Sequence, residues 1–301
     1  HIQYVLGVIM IYIICGPTGS GKTSAAIKVA NALSCPIINA DAFQIYKGMD
    51  IGTAKIIKDD PNYNKHYLLD IVSPDASYSV KEYQEAFRKT VSSLSKNYQD
   101  IVVCGGTGLY IRASIYDYNF EEHEPDDTSD LEKLTNDELW NMLISLDKDA
   151  CNNIHPNNRK RVIRAISIAR TNTISKSQNI EMQSHKLIYD DVRILMLNPP
   201  RDLLYENINK RVDIMFENGL INEVESLTKQ YELSLTAKQA IGYKEVLDYL
   251  DGNCSLESAK ELIKQRTRNY AKRQVTFFKH QFELETFETK ELLLKELGIY
   301  E

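Results

Sequence analysis

The chain has 301 residues, 43% of them hydrophobic and 26% charged, with a formal net charge of −6. That is the composition of a globular protein with room for one large or two ordinary domains. No apolar run nears the roughly 18 residues of a membrane span, and five scattered cysteines without a C-x-x-C pair argue for reduced thiols in the cytoplasm rather than a disulfide or zinc framework.

His1 to Met10 is apolar but leads straight into a strand, so a cleaved secretory signal is rejected and Met10 is the expected natural start. Ile11 to Cys15 reads as that strand. Gly16-Pro17-Thr18-Gly19-Ser20-Gly21-Lys22-Thr23 follows and fits G-x-x-x-x-G-K-[ST]. Ala25, Ala26, Val29, Ala30 and Leu33 then recur at helical spacing. Strand, glycine loop and helix together make a phosphate cradle of backbone N–H groups at a helix N-terminus. Lys22 is expected to reach the terminal phosphates and the Thr23 hydroxyl to hold Mg²⁺. Pro36 to Ala40 reads as a second parallel strand that delivers Asp41 towards this crevice. A glycine-punctuated loop runs from Asp41 to Lys55, and His66 to Ile71 is a third candidate strand.

Ser79 and Glu82 form a capping box for a helix with Val80, Tyr83, Phe87, Val91 and Leu94 on its buried side. Ile101 to Cys104 is a buried strand that ends in Gly105-Gly106-Thr107-Gly108, a second glycine turn. The alternation implies a parallel α/β sheet flanked by helices, of P-loop NTPase-like type. It stops near Asp117. Helices are predicted over Leu131 to Ser145 and over Pro156 to Arg170, the latter with Pro156 at N1, and Ile174 to Ser184 reads as loose. Val192 to Leu197 restores a core strand. Helices follow over Asp202 to Glu217, Leu220 to Tyr231, Ala237 to Leu250 and from Ser255 to about Gln281. The expected organisation is a catalytic core of 1–117 and 190–301 with a helical C-terminal part, interrupted by a helical insertion domain at 118–189.

Charge is unevenly spread. Asp117 to Glu138 holds ten acids against Lys133, whereas Arg159, Lys160, Arg161, Arg164, Arg170 and Lys176 fall in a stretch free of acids. Lys260, Lys264, Arg266, Arg268, Lys272, Arg273 and Lys279 form a second basic stretch. Two such segments in an acidic chain are the footprint of a polyanion or, equally, solvated helix faces. P-loop hydrolases and kinases commonly want a second metal carboxylate at a strand end. Here the best strand ends in Gly-Gly-Thr, and Asp70 is a weak substitute. The loop therefore suits a diphosphate held as a leaving group, with Asp41 left for acid–base work.

GPTGSGKT at 16–23, DAFQIYKGMDIGTAK at 41–55, GGTGLY at 105–110, HPNNRKRVIRAI at 155–166, NKRVDIM at 209–215, QAIGYKE at 239–245 and YAKRQVTFFK at 270–279 occur in one order across nearly the whole chain. In these motifs the sequence resembles the tRNA dimethylallyltransferases (tRNA isopentenyltransferases), of bacterial type because the zinc-finger extension of eukaryotic members is missing. The resemblance implies transfer of the dimethylallyl group of dimethylallyl diphosphate to N6 of adenosine 37, in the anticodon stem-loop of tRNAs reading codons that start with U. It implies Asp41 as general base, with Thr107, Lys22 and Arg211 also catalytic. Gly16, Pro17, Thr18, Gly19, Ser20, Gly21, Lys22 and Thr23 would bind the diphosphate, with Mg²⁺ on Thr23.

The tRNA-contacting positions implied are Asp41, Ala42, Phe43 and Gln44; Lys160, Arg161, Val162, Ile163 and Arg164; Ala240, Ile241, Gly242, Tyr243 and Lys244; and Arg273 with Gln274. Tyr243, Phe277 and Phe278 are expected to pack in the core rather than stack on bases. A cytoplasmic monomer with no membrane contact is expected. Four positions depart from the family pattern: Gly19 for alanine, Ala42-Phe43 for Ser-Met, and Phe278 for tryptophan. A P-loop kinase or NTPase acting on a small metabolite, and an isopentenyltransferase acting on free AMP-type nucleotides, are the competing readings. The basic segments favour tRNA over a free nucleotide.

Overall fold

In the computed structural model, residues 9–118, 120, 127–152, 154–171 and 186–300 are described. The 174–184 stretch, Lys176, most of the segment before Met10 and part of the acidic stretch lie outside them. The chain divides into two compact units, 1–115 with 188–301, and Tyr116–Leu187.

The first unit is built on a six-stranded, wholly parallel sheet: β1 (Met10–Cys15), β2 (Ile37–Asn39), β3 (His66–Tyr67), β4 (Asp100–Gly105), β5 (Asp191–Leu197) and β6 (Glu285–Phe287), in the order β3-β2-β4-β1-β5-β6. Successive residues along the central strands, Ile13 and Ile14 or Val102 and Val103, are equally buried. Both faces are therefore covered by helices, which is why these strands read as continuous apolar runs. On one face α1 (Lys22–Ala32) packs Ala25, Ala26 and Val29 against Ile14, Ile37, Val102 and Leu195. α2 (Val80–Leu94) starts at the predicted Ser79–Glu82 capping box, and α3 (Gly108–Ile115) follows the second glycine turn.

Registry decides what meets at the carboxyl edge. β4 lies between β1 and β2, with Ile14 and Asn39 both paired to Cys104. The P-loop after β1, the Gly105–Gly108 turn after β4 and Asp41 after β2 thus emerge side by side. The packing is so close that a Cβ on Gly105 would lie 2.1 Å from the Ala40 carbonyl oxygen.

The third strand is shorter than its apolar run suggests. Leu68 and Asp70 take positive φ of 61° and 52°, which bends the chain out of the sheet. In the second unit, Thr135 and Glu138 cap α4 (Asn136–Leu146), which packs on α5 (Arg159–Thr171). Pro156 is not at N1. It sits in a turn, and α5 begins three residues later. α4 and α5 share a core of Leu139, Leu143, Val162, Ile163, Ala165 and Ile166.

The C-terminal part of the first unit carries α6 (Arg201–Glu217), α7 (Leu220–Gln230), α8 (Leu235–Lys238), α9 (Tyr243–Leu250), α10 (Leu256–Gln281) and α11 (Lys290–Glu296). The single helix predicted from Ala237 to Leu250 is two, because Gly242 at φ 98° breaks the ladder. Among the described residues no helix is long and apolar enough to cross a membrane.

Candidate active site

The site is built where the three loops emerge. Gly21, in the left-handed conformation, is the N-cap of α1, so the P-loop turns directly into the helix. Lys22 is half-buried and donates to the Pro17 carbonyl at 3.3 Å. Desolvation lowers its pKa, partly offset by Cys104 and Asp41, while the Arg211 cation pushes the same way as burial. Arg211, on α6, is likewise lowered by desolvation and pulled back by Asp41. Two cations and one carboxylate therefore feel one another here. Thr23 is exposed on the first turn of α1.

Asp41 begins a turn. Its Oδ1 accepts the Phe43 amide at 2.9 Å and the Gln44 amide at 3.4 Å. Asn39 Oδ1 accepts the Asp41 amide at 3.2 Å. Thr107 Oγ1 accepts the Ala42 amide at 2.9 Å and its hydroxyl meets that of Tyr270. Thr107 thus ties the Asp41 loop to the second glycine turn. Burial, and then the Asp41 charge, raise the Tyr270 phenol.

Gln274 on α10 is 5% exposed and joins the two glycine turns. Its Oε1 accepts the Thr18 amide at 2.9 Å, and its Nε2 donates to the Gly106 carbonyl at 2.9 Å. Gln274 is therefore a brace as well as a candidate RNA contact.

A cavity of about 240 Å³ opens between these parts. Thr18, Asp41, Arg211, Arg273 and Gln274 give it a polar side, and Ile208, Val212, Met215 and Ile263 an apolar one. Phe43 and Thr53 lie on it too, whereas Gln44 turns its amide to the Thr53 carbonyl at 3.0 Å. Tyr270, Thr267, Gln239 and Thr53 were not expected at the site; Tyr270, Thr267 and the apolar wall read in sequence only as positions on helices.

Several expected RNA contacts are unavailable as side chains. Val162 and Ile163 are 1% and 8% exposed within the core of the second unit, so that turn offers Lys160, Arg161 and Arg164 to solvent. Ala240, Gly242 and Tyr243 are buried too, leaving half-buried Ile241 and exposed Lys244. The Tyr243 hydroxyl donates to Glu223, and its ring lies against Gly52, consistent with a packing role. Phe278 is fully buried, and Phe277 presses on Gly108. Asp70 is no metal candidate, since its two oxygens accept from Lys55 at 2.6 Å and from Tyr63 at 2.7 Å.

The basic stretches are thinned in the same way. Arg170 pairs with Asp130 at 2.9 Å, and Arg159 donates to the Leu131 and Glu132 carbonyls. Lys264 pairs with Asp213, Arg266 with Glu245, and Arg268 donates to Asn209. Lys272, Arg273 and Lys279 remain exposed.

Residues 44–281 match the family described as IPP transferase. The chain is 41% identical over 277 residues to the tRNA dimethylallyltransferase of Staphylococcus epidermidis, covering 89% of this chain and 83% of that one. It is 40% identical over 284 residues to that of Bacillus subtilis, at 92% and 90% coverage. The solved tRNA delta(2)-isopentenylpyrophosphate transferase of S. epidermidis superposes with a TM-score of 0.70 at 39% identity, over 96% of this chain and 97% of that one. A eukaryotic dimethylallyltransferase solved acting on tRNA gives 0.79 at 26% identity, over 95% and 76%. Motif order, parallel sheet and relatives agree across the two units, and the chain belongs to the IPP transferase family.

Proposed function

We propose that the protein transfers the dimethylallyl group of dimethylallyl diphosphate to N6 of adenosine 37 in tRNAs that read codons starting with U. The observation that carries this reading is the cavity: Asp41, Arg211 and the P-loop residue Thr18 line it together with an apolar wall, and Lys22 feels the charges of both Asp41 and Arg211. Its family relatives are named for the same transfer.

An aromatic amine is a weak nucleophile, because its lone pair is delocalised into the ring. Asp41 accepts its proton as N6 attacks C1 of the allyl group. The C1–O bond breaks and diphosphate departs. Charge grows on the leaving oxygens, and the P-loop amides, Lys22 and Arg211 neutralise it. Mg²⁺ needs few protein ligands, and Thr23 is exposed on the first turn of α1, next to the P-loop. Thr23 would hold it, and it would supply further charge neutralisation at the diphosphate. Thr107 fixes the Asp41 loop. Arg161, Arg164, Lys272 and Arg273 are the side chains offered to tRNA phosphates. The target base leaves its stack to reach the crevice. The proposal puts a single chain to work as a monomer in the cytoplasm.

The decisive assay is incubation with labelled dimethylallyl diphosphate, Mg²⁺ and unmodified tRNA, with AMP and ATP as competing acceptors. Label in tRNA is expected; label in AMP and not in tRNA overturns the reading. Asp41→Ala is expected to lower kcat by about 10²–10⁴ while tRNA affinity holds, and a near-normal rate removes Asp41 as the base. Replacing Arg161 and Arg164 together by alanine should reduce the slope of log K against log salt by about 1.4–1.8. An unchanged slope removes both from the RNA footprint.

A further inference from the structure

We infer that α6 measures the donor, with Met215 and Ile263 closing the cavity against prenyl chains longer than five carbons. The inference rests on the donor reading above and adds the property that selects among allylic diphosphates.

One end of α6 belongs to the phosphate loop. Asn207 Nδ2 donates to the Gly19 carbonyl at 3.4 Å, and a Cβ on Gly19 would lie 2.9 Å from Ile208 Cγ1. Arg211 follows almost one turn later, its guanidinium within the influence of Asp41 and Lys22. Ile208, Val212 and Met215 recur at steps of four and three, and all three line the cavity. The other end is hydrocarbon. Val212 and Met215 enter a buried cluster with Ile45, Tyr46, Val224 and, from α10, Ile263. Met215 and Ile263 are 8% and 2% exposed.

A diphosphate held by the P-loop and Arg211 thus points its chain along α6 towards this cluster. From Arg211 to Met215 the helix rises about 6 Å. From C1 to a terminal methyl, a dimethylallyl group spans three carbon–carbon bonds of about 1.5 Å, roughly 4 Å in all. A second isoprene unit roughly doubles that reach and drives the chain into Met215 and Ile263. The chemistry is the same for either donor: C1–O breaks, N6–C1 forms, diphosphate leaves and Asp41 takes the proton.

The test compares dimethylallyl with geranyl diphosphate on the same unmodified tRNA, and reads five- and ten-carbon adducts by mass spectrometry of digested nucleosides. Wild type should favour the shorter donor strongly. Met215→Ala should lower the ratio of kcat/KM values at least tenfold, by gain of ten-carbon transfer, and Ile263→Val about threefold. A purely structural role for these residues would slow both donors together and leave the ratio alone. Circular dichroism melting checks folding, and should Met215→Ala fail to fold, the milder Ile263→Val decides. Ratios within twofold of wild type in the folded variants, with five-carbon transfer intact, overturn the inference. If wild-type protein transfers neither donor to tRNA, the donor reading fails and takes the inference with it.

Discussion

Lys22 and Lys55 are both withdrawn from water, and the loops that carry them treat the charge in opposite ways. Lys55 has a side chain 1% exposed and spends its ammonium on three acceptors: the Tyr46 carbonyl at 2.7 Å, Asp50 at 2.7 Å and Asp70 at 2.6 Å. Asp70 is held in turn by the Tyr63 hydroxyl. A few residues away, the Glu223 carboxylate accepts the Asp50, Ile51 and Gly52 amides. The 41–55 loop is thereby closed around charges that satisfy one another. Lys22 has three donors too. The one bond described for it is the long contact to Pro17, with a second cation at hand in Arg211. A saturated buried cation holds a loop in shape. An undersatisfied one lowers its own pKa and gains most when an anion arrives.

Breaking the saturated side should have the largest effect. Lys55→Met leaves Asp50, Asp70 and the Tyr46 carbonyl without their partner, and should cost about 3–5 kcal/mol of stability in urea unfolding. An unmoved midpoint would show that the network is no brace. Breaking the other side should cost rate and not stability. Lys22→Met should lower kcat/KM by about 10²–10³, with a melting temperature equal to wild type or above it. A variant that melts lower and still transfers at speed would reverse the two roles.

The smallest effect sharpens the contrast through pH. The folded-state pKa of Lys22 is lowered, so between that value and the ordinary lysine range the unfolded chain binds more protons than the folded one. Stability therefore rises with pH across that window. The rise should vanish in Lys22→Met, as read by melting temperature against pH. Equal slopes in the two proteins would mean that Lys22 is already compensated.

Much of the sheet is legible because buried parallel strands have no polar face to hide. Ile11 to Cys15 and Ile101 to Cys104 announce themselves as unbroken apolar runs, and Val192 to Leu197 does so past Arg193. The errors arise where a side-chain partner far away decides the backbone. His66 to Ile71 looks like a strand, but Asp70 is drawn to Lys55 and the chain turns at Leu68. β6 and α11 were not anticipated, since an edge strand with the single apolar residue Phe287 carries almost no periodic signal. The same holds at the site. The P-loop and Asp41 are local patterns with a local mechanism. The apolar wall is a helix stripe, which in sequence looks like any core face, and the brace made by Gln274 is invisible without knowing which turns it meets.

That brace has a consequence for the newborn chain. The bond from the Thr18 amide to Gln274 spans 256 positions. β1 pairs with β5, whose first residue is Asp191. At about 5–20 residues per second, the 176 residues from Cys15 to Asp191 take roughly 9–35 s to synthesise. Throughout that interval the edge of β1 that β5 will cover is open, and the phosphate loop has its sequence without its support. Ribosome-bound chains stopped before α10 would carry every residue of the P-loop and of Asp41, yet lack the side chain that holds the two glycine turns together.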